Sequence, residues 1–446
     1  MNDSSLTNAL PGEPVILTRD QHAVSRKNID TDCLKVMRRL NSGGYHAFLV
    51  GGAVRDLLLN KKPKDYDVST DASPEQVRSL FRNSRIIGRR FKLNHVYFKG
   101  GKIIEVSTFR RSSAPDEDLE EDSKNTDNLY GDPETDAFRR DLTINGLFYD
   151  LSTFEVIDYV GGVDDLNQGV IRIIGDSNER FKEDPVRMIR AVRHAARANF
   201  KIESNTYTSI CDCAELLATA SSVRVYEEFI KDLRGGSSWI ALQLLVETGL
   251  LKQLFGTLDL SIEEQRRKVW ERLDQILPEV DKACVGDPEA MSVGLILALI
   301  LYRNVSADLV YSNSEDKADP ELGVLWGISG KLEPHDFEHL IKEIEFGQRG
   351  KRVKRSNSKF AKSVDYAVGN LKVPNKERER IEQLLLSRVI IFGESNLELS
   401  SLPEKSYFSE ALRFVELTAD TAEQRDKLKH WNALDHNKRR NRSRLR

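Results

Sequence analysis

Between Phe48 and Thr70 the chain reads FLVGGAVRDLLLNKKPKDYDVST: an apolar run, a Gly-Gly pair, a helical pattern, a short basic turn and a second short run carrying two aspartates. A strand that ends in two glycines and passes straight into a helix brings backbone close to whatever lies at the sheet edge, because no side chain intervenes. In the second run, residues two apart point to one face, so Asp65 and Asp67 present neighbouring carboxylates while Tyr66 turns into the sheet. Paired hard oxygen ligands suit Mg²⁺, which binds through one or two carboxylates and keeps room for substrate phosphates. An isolated Asp-x-Asp is usually a solvated acidic turn, here following Lys61, Lys62 and Lys64. Gly51, Gly52 and Arg55 one strand earlier convert the pair into a candidate site for phosphoryl or nucleotidyl transfer.

Up to about residue 160, short apolar runs alternate with helical patterns, which predicts an α/β or α+β unit built on a sheet. Strands are expected at Ala47–Val50, Tyr66–Ser69, His95–Phe98, Ile103–Ser107, Leu147–Asp150 and Val156–Tyr159, with helices at Thr31–Asn41 and Pro74–Asn83. From Ser112 to Thr135 periodicity vanishes among Ser, Asp, Glu, Asn and Gly, which predicts a mobile loop over about 112–137. Beyond residue 180 the pattern is helical. The resulting division is an N-terminal extension at 1–30, a head at 31–160, a helical neck at 161–220, a helical body at 221–330, a helical C-terminal region at 331–437 and a basic tail at 438–446.

Three further groups carry chemistry. Glu105 lies in the run IIEV, where a charge on a half-buried strand needs a partner; it is either a third acid beside the aspartates or a strand-edge residue paired with Arg110 or Arg111. In FRRDLTINGLFYD, Arg139 and Arg140 match phosphate oxygens with paired donors. Asp141 after them either orients those arginines or helps arrange the site. In RFKEDPVRMIRAVRHAARANF, Asp184 fits a helix N-cap and Pro185 the first helical position. Arg187, Arg190, Arg193 and Arg197 then fall within about a third of the circumference. With no acid four residues on, this face reads as a basic stripe for a polyanion.

The formal charge of −3 hides a segregation of signs: residues 116–136 are acidic, while Arg349, Lys351, Arg352, Lys354 and Arg355 form one basic run and KRRNRSRLR, with Arg439 and Arg440, ends the chain. Such runs add sequence-independent affinity for nucleic-acid phosphates, or serve solubility alone. Four cysteines show no Cys-x-x-Cys pair and are too few for a disulfide framework. No apolar stretch approaches the roughly 18 residues of a membrane helix. The N-terminal residues lack a basic region followed by an apolar one, so a cytoplasmic protein is expected.

VGGAVRDLLL with KDYDV, RRDLTING, and EDPVRMIRAVRHAAR together resemble the three motifs of the class II nucleotidyltransferases, the family of CCA-adding enzymes and bacterial poly(A) polymerases. The resemblance implies a polymerase-beta-like head followed by all-α neck, body and tail. It implies that Asp65 and Asp67 hold two Mg²⁺ ions, with Mn²⁺ as a substitute, and that Gly51, Gly52, Arg55 and Arg140 meet the triphosphate. Asp184 and Arg187 would meet the base, with Arg190 and Arg193 beside them, and Asp141 is counted as catalytic in the poly(A) polymerase branch. HAVSRKNID, RSLFRNSRIIGRRFKLNHV and DNLYGDPETDAFRRD resemble that branch, which implies transfer of AMP from ATP to RNA 3′ ends, whether of mRNA, small RNA or tRNA precursors, with partners in RNA decay. A CCA-adding enzyme and a non-catalytic RNA-binding relative are the alternatives. Gly146 and His194 depart from the family, which usually shows Ala and Phe there.

Overall fold

The computed structural model describes residues 13–88, 92–111, 130–255, 263–310, 364–392 except 366, and 402–433 except 430. Among the described residues between 15 and 158 the chain lays down eight strands: β1 Val15–Leu17, β2 Ala47–Val50, β3 Asp67–Thr70, β4 Ser84–Ile87, β5 Leu93–Tyr97, β6 Ile103–Thr108, β7 Leu147–Asp150 and β8 Val156–Asp158. They form one sheet in the order β1-β8-β7-β2-β3-β6-β5-β4. The β3–β6 pair is parallel and the other neighbours are antiparallel. The apolar run AFLV is buried at all four positions because β2 lies between β3 and β7 with both faces covered. β6 alternates exposed and buried residues over most of its length, as a half-covered strand does.

Local chemistry explains the helices around this sheet. α1 (Thr31–Ser42) starts where Asp30 accepts the N–H groups of Asp32 and Cys33, and it buries Cys33, Leu34, Val36, Met37 and Leu40. α2 (Gly52–Leu58) follows Gly51, and α3 (Pro74–Leu80) opens on a Ser73–Gln76 capping box. α4 (Pro133–Phe138) opens on a similar reciprocal pair, Asp132 with Thr135. That helix corrects the expected loop at its far end: Asp132-Pro133 is a helix start, and residues 133–137 are helical rather than irregular. The part of the loop at 112–129 lies outside the described residues.

The chain then continues through α5 (Gly162–Gln168), α6 (Ser177–Glu183), α7 (Val186–Ala198) and α8 (Ser204–Cys213). A short parallel ladder joins β9 (Val170–Ile171) to β10 (Lys201–Ile202) within this otherwise helical stretch. The chain packs as two units, residues 1–187 with 198–210 and residues 188–197 with 211–446. The second unit includes α9 (Ser222–Leu233), α10 (Ser238–Glu247), α11 (Leu250–Phe255), α12 (Glu263–Cys284) and α13 (Val293–Val310), with later helices at Asn375–Phe392 and Phe408–Thr418. Its core holds Phe229, Leu245, Phe255, Leu297, Leu384 and Phe414.

Candidate active site

Asp67 is the first residue of β3, and Asp65 lies just before the strand begins, so the pair sits at a strand entrance rather than inside one. The alternation survives: Asp65 and Asp67 are exposed, while Tyr66 is buried and donates its hydroxyl to the Asn28 carbonyl at 3.2 Å. Across the parallel β3–β6 ladder Asp67 stands opposite Glu105, and Glu105 in turn stands opposite His95 of β5. Glu105 therefore lies beside the aspartates, and its carboxylate meets His95 Nε2 at 3.4 Å. The acids edge a cavity of about 350 Å³ that Lys64 and Lys102 also line.

Asp67 lines this cavity, exposed as a residue but with its carboxyl group partly shielded by its surroundings, which disfavours the charged form. That burial, together with the charges of Glu105 and Asp65, outweighs Arg140 and pushes its pKa up to about 6. Carboxylates crowded at such a cost are the donor set a divalent cation relieves. Among the described residues no three His, Cys, Asp or Glu side chains already converge as a preformed metal cage. Asp65 and Asp67 offer a pair, with Glu105 one strand away.

On the other side of the acids lies a cradle of glycines and guanidinium groups. Gly51 adopts φ 70° and ψ −136°, a conformation that favours glycine, and a Cβ there would also stand 3.3 Å from Arg140 Nη1. A Cβ on Gly52 would stand 3.4 Å from Arg55 Nη2. Both arginines are braced from behind. Arg55 donates to Asp56 at 2.8 and 2.9 Å and to Asn145 Oδ1 at 2.7 Å. Arg140 donates Nη2 to Asp136 at 2.8 Å and to Ser69 Oγ at 3.2 Å, and its guanidinium lies 5.2 Å from the centre of the Phe148 ring.

The residue that orients the arginine pair is Asp136, not Asp141. Asp136 is completely buried and also accepts Arg139 Nε at 2.8 Å. Its spacing, three residues before Arg139 and four before Arg140 on a helix, is the sequence signal that would have found it. Asp141 instead accepts the N–H of Leu142 at 2.8 Å and Asn145 Nδ2 at 3.5 Å, holding the turn that carries Asn145. Gly146 follows in that turn, and an alanine there would press its Cβ to 2.6 Å from Val160 Cγ2, so the departure at this position matches a valine that fills the space.

At the neck, Asp184 ends α6 and its carboxylate accepts the N–H of Val186, so it caps the start of α7 as well. Arg187 donates to Glu183 at 2.8 Å. The expected open basic stripe on α7 is corrected further along. Arg193 is 5% exposed and ion-paired to Glu228 of α9, Arg190 lies 3.7 Å from the same carboxylate, and buried Asp232 adds a second acid nearby. The counter-charge, Glu228, comes from a helix 35 residues downstream of Arg193, where spacing along α7 cannot reveal it. Arg197 at the far end remains exposed. Lys351, Arg352, Lys354, Arg355, Arg439 and Arg440 lie outside the described residues.

Residues 47–172 match the model of the poly A polymerase head domain, and residues 199–261 match that of a probable RNA and SrmB-binding site of polymerase A. Over 295 residues the chain is 46% identical to poly(A) polymerase I of Salmonella typhi, covering 64% of this chain and 63% of that one. It is 38% identical over 226 residues to a CCA-adding enzyme of Bacillus licheniformis, covering 50% of this chain and 55% of that enzyme. A solved tRNA-processing enzyme shares the fold with a TM-score of 0.56 at 22% identity, over 91% of both chains. Among the described residues no helix is long and apolar enough to cross a membrane. The acids, the glycine turn and the braced arginines all lie inside the first matched segment, so the site falls where the chain is similar to the poly A polymerase head domain, and the chain spans 63% of the poly(A) polymerase I it matches.

Proposed function

We propose that this chain is a template-independent polynucleotide adenylyltransferase that adds AMP from ATP to RNA 3′ ends and releases pyrophosphate. The observation that carries transfer chemistry is the juxtaposition of Asp65 and Asp67, at the entrance of β3, with two guanidinium groups that face Gly51 and Gly52 and are braced from behind. Support for adenylate as the added unit is the 46% identity to poly(A) polymerase I, of which the chain spans 63%.

In this reading the triphosphate lies over the glycine turn, with Arg55 and Arg140 donating to its oxygens. Asp65 and Asp67, with Glu105 beside them, would hold Mg²⁺. Two such ions, when bound, supply Lewis acidity that lowers the pKa of the RNA 3′-hydroxyl and neutralises departing pyrophosphate. The hydroxyl oxygen bonds to the α-phosphorus, its proton passes to solvent water, and the bond to the pyrophosphate oxygen breaks, releasing pyrophosphate. Asn145, held by Asp141, keeps Arg55 in place, and Asp136 keeps Arg140. Asp184 and Arg187 offer an acceptor and a planar donor to the base edge. Arg197 and the basic runs at 351–355 and 439–440 add salt-dependent affinity for RNA phosphates.

The test is incorporation of each of the four nucleoside triphosphates onto a generic RNA with Mg²⁺. A long A tract is expected. Addition of C, C and A to a tRNA lacking its end, followed by arrest, would replace this reading with CCA addition.

A further inference from the structure

Arg180 of α6 buries its guanidinium against the segment that carries the triphosphate arginine. Its Nη2 donates to the carbonyls of both Arg139 and Arg140 at 2.7 Å, and its Nη1 donates to Glu183 Oε2 at 2.9 Å. The same Glu183 oxygen accepts Arg187 Nη1 at 2.8 Å, and that nitrogen also donates to the Arg180 carbonyl at 2.8 Å. Arg180 Nε is buried with no hydrogen-bond partner. A charge sunk this far and satisfied this incompletely is a poor way to stabilise a fold, since an apolar side chain of similar volume would fill the space without the desolvation cost. What the guanidinium supplies that an apolar residue cannot is a fixed distance between two consecutive backbone carbonyls and the end of α6.

We infer that Arg180 is a positioning residue that sets Arg140 relative to Arg187, so that placement of the triphosphate and reading of the base are coupled through a side chain that touches neither. This rests on the adenylyl-transfer reading above, which gives those two arginines their partners. With Arg180 in place, a base that seats correctly on Arg187 finds its phosphates at Arg140. With the link loosened, the two ends of the nucleotide are held independently, and a base that fits poorly loses less.

The experiment uses the full chain and three variants, Arg180→Lys, Glu183→Ala and Glu183→Gln. Thermal melting, equilibrium binding of ATP and CTP without RNA, and kcat and KM for incorporation are measured for each. Arg180→Lys keeps the charge but cannot span two carbonyls and a carboxylate, so ATP affinity and the preference for ATP over CTP should each fall by about tenfold, with KM changing more than kcat. Glu183 is half exposed, so its removal spares the fold; Glu183→Ala should weaken the preference by roughly three- to tenfold, and Glu183→Gln should restore most of it. A role confined to the fold predicts a lower melting temperature with unchanged ATP affinity and preference. Unchanged affinity and preference in Glu183→Ala overturns the inference even where Arg180→Lys is impaired. A wild-type chain that binds ATP but extends no RNA defeats the adenylyl-transfer reading and leaves the binding arm to decide on Arg180. A wild-type chain that binds no nucleotide defeats both.

Discussion

Arg140 in the first unit and Arg193 in the second are both sunk in the protein and both held by acids, yet they end in opposite situations. Arg140 is gripped from one side by Asp136 and Ser69 while its Nη1 faces a glycine that keeps the space before it clear. Arg193 meets Glu228 directly, with Asp232 buried beside it, and only 6% of its side chain is exposed. An arginine presents charge to a ligand when its acid braces it from behind and small residues stand in front. When acids of a neighbouring helix surround it, the same residue type becomes part of the packing. The contrast predicts that changes around Arg140 damage activity, while changes at Arg193 damage stability.

The largest effect is expected at the acids that the Arg140 cradle serves. Asp67→Asn keeps the shape and removes the charge that would hold a cation, so ATP incorporation should fall by about a thousandfold or more. RNA binding measured by filter retention should stay near wild type. Incorporation within a few-fold of wild type would break the assignment of this cradle as the reacting centre.

Arg193→Ala tests the other half of the comparison. It strips the nearest cation from Glu228, a carboxylate that is itself mostly buried, and it should cost about 3 kcal/mol of stability. Chemical denaturation reads this directly. If the variant keeps its stability and instead loses RNA or nucleotide affinity, Arg193 belongs to a binding face after all and the contrast with Arg140 collapses.

Gly51→Ala sharpens the cradle itself. Alanine at φ 70° and ψ −136° is strained, and its Cβ would crowd Arg140 Nη1. Strain of roughly 1–3 kcal/mol is expected, with KM for ATP raised about ten- to a hundredfold. Gly52→Ala has no such backbone demand, and its Cβ meets the movable end of Arg55, so it should cost clearly less. Equal penalties at the two positions would show that backbone conformation is not what Gly51 contributes.

How far the sequence revealed this contrast depends on the range of each interaction. β2 and β7 are where their apolar runs predicted them, because a strand buried on both faces shows in its own residues. β1 and β4 were not foreseen. One is a three-residue edge strand with two exposed residues, the other carries a polar start, and neither alternates clearly. The cradle was legible in its glycines, acids and arginines, since these lie within short motifs. Asp136 is legible in principle from helical spacing, but it closes a stretch whose lost periodicity predicts loop. Glu228 and Asp232 were not legible against Arg193, because that pairing is made by tertiary packing between α7 and α9.

The smallest effect concerns the pH dependence of the first unit. The Asp67 carboxyl is pushed from its ordinary 3.8 to about 6, so between those values the folded chain holds a proton that the unfolded chain has released. Its contribution to stability is therefore fully present below about pH 4 and is lost as pH rises toward 6, the reverse of the usual carboxylate. In metal-free solution, wild type should lose stability relative to Asp67→Asn over that interval and then run parallel to it. Added Mg²⁺ should close the gap at neutral pH, because a cation bound to the carboxylate favours its charged form. A difference that stays flat between about pH 4 and pH 7 would mean that the acids are already neutralised by the protein's own cations. The head would then resemble the Arg193 cluster, an internally satisfied set of charges, rather than a site left open for an ion and a triphosphate.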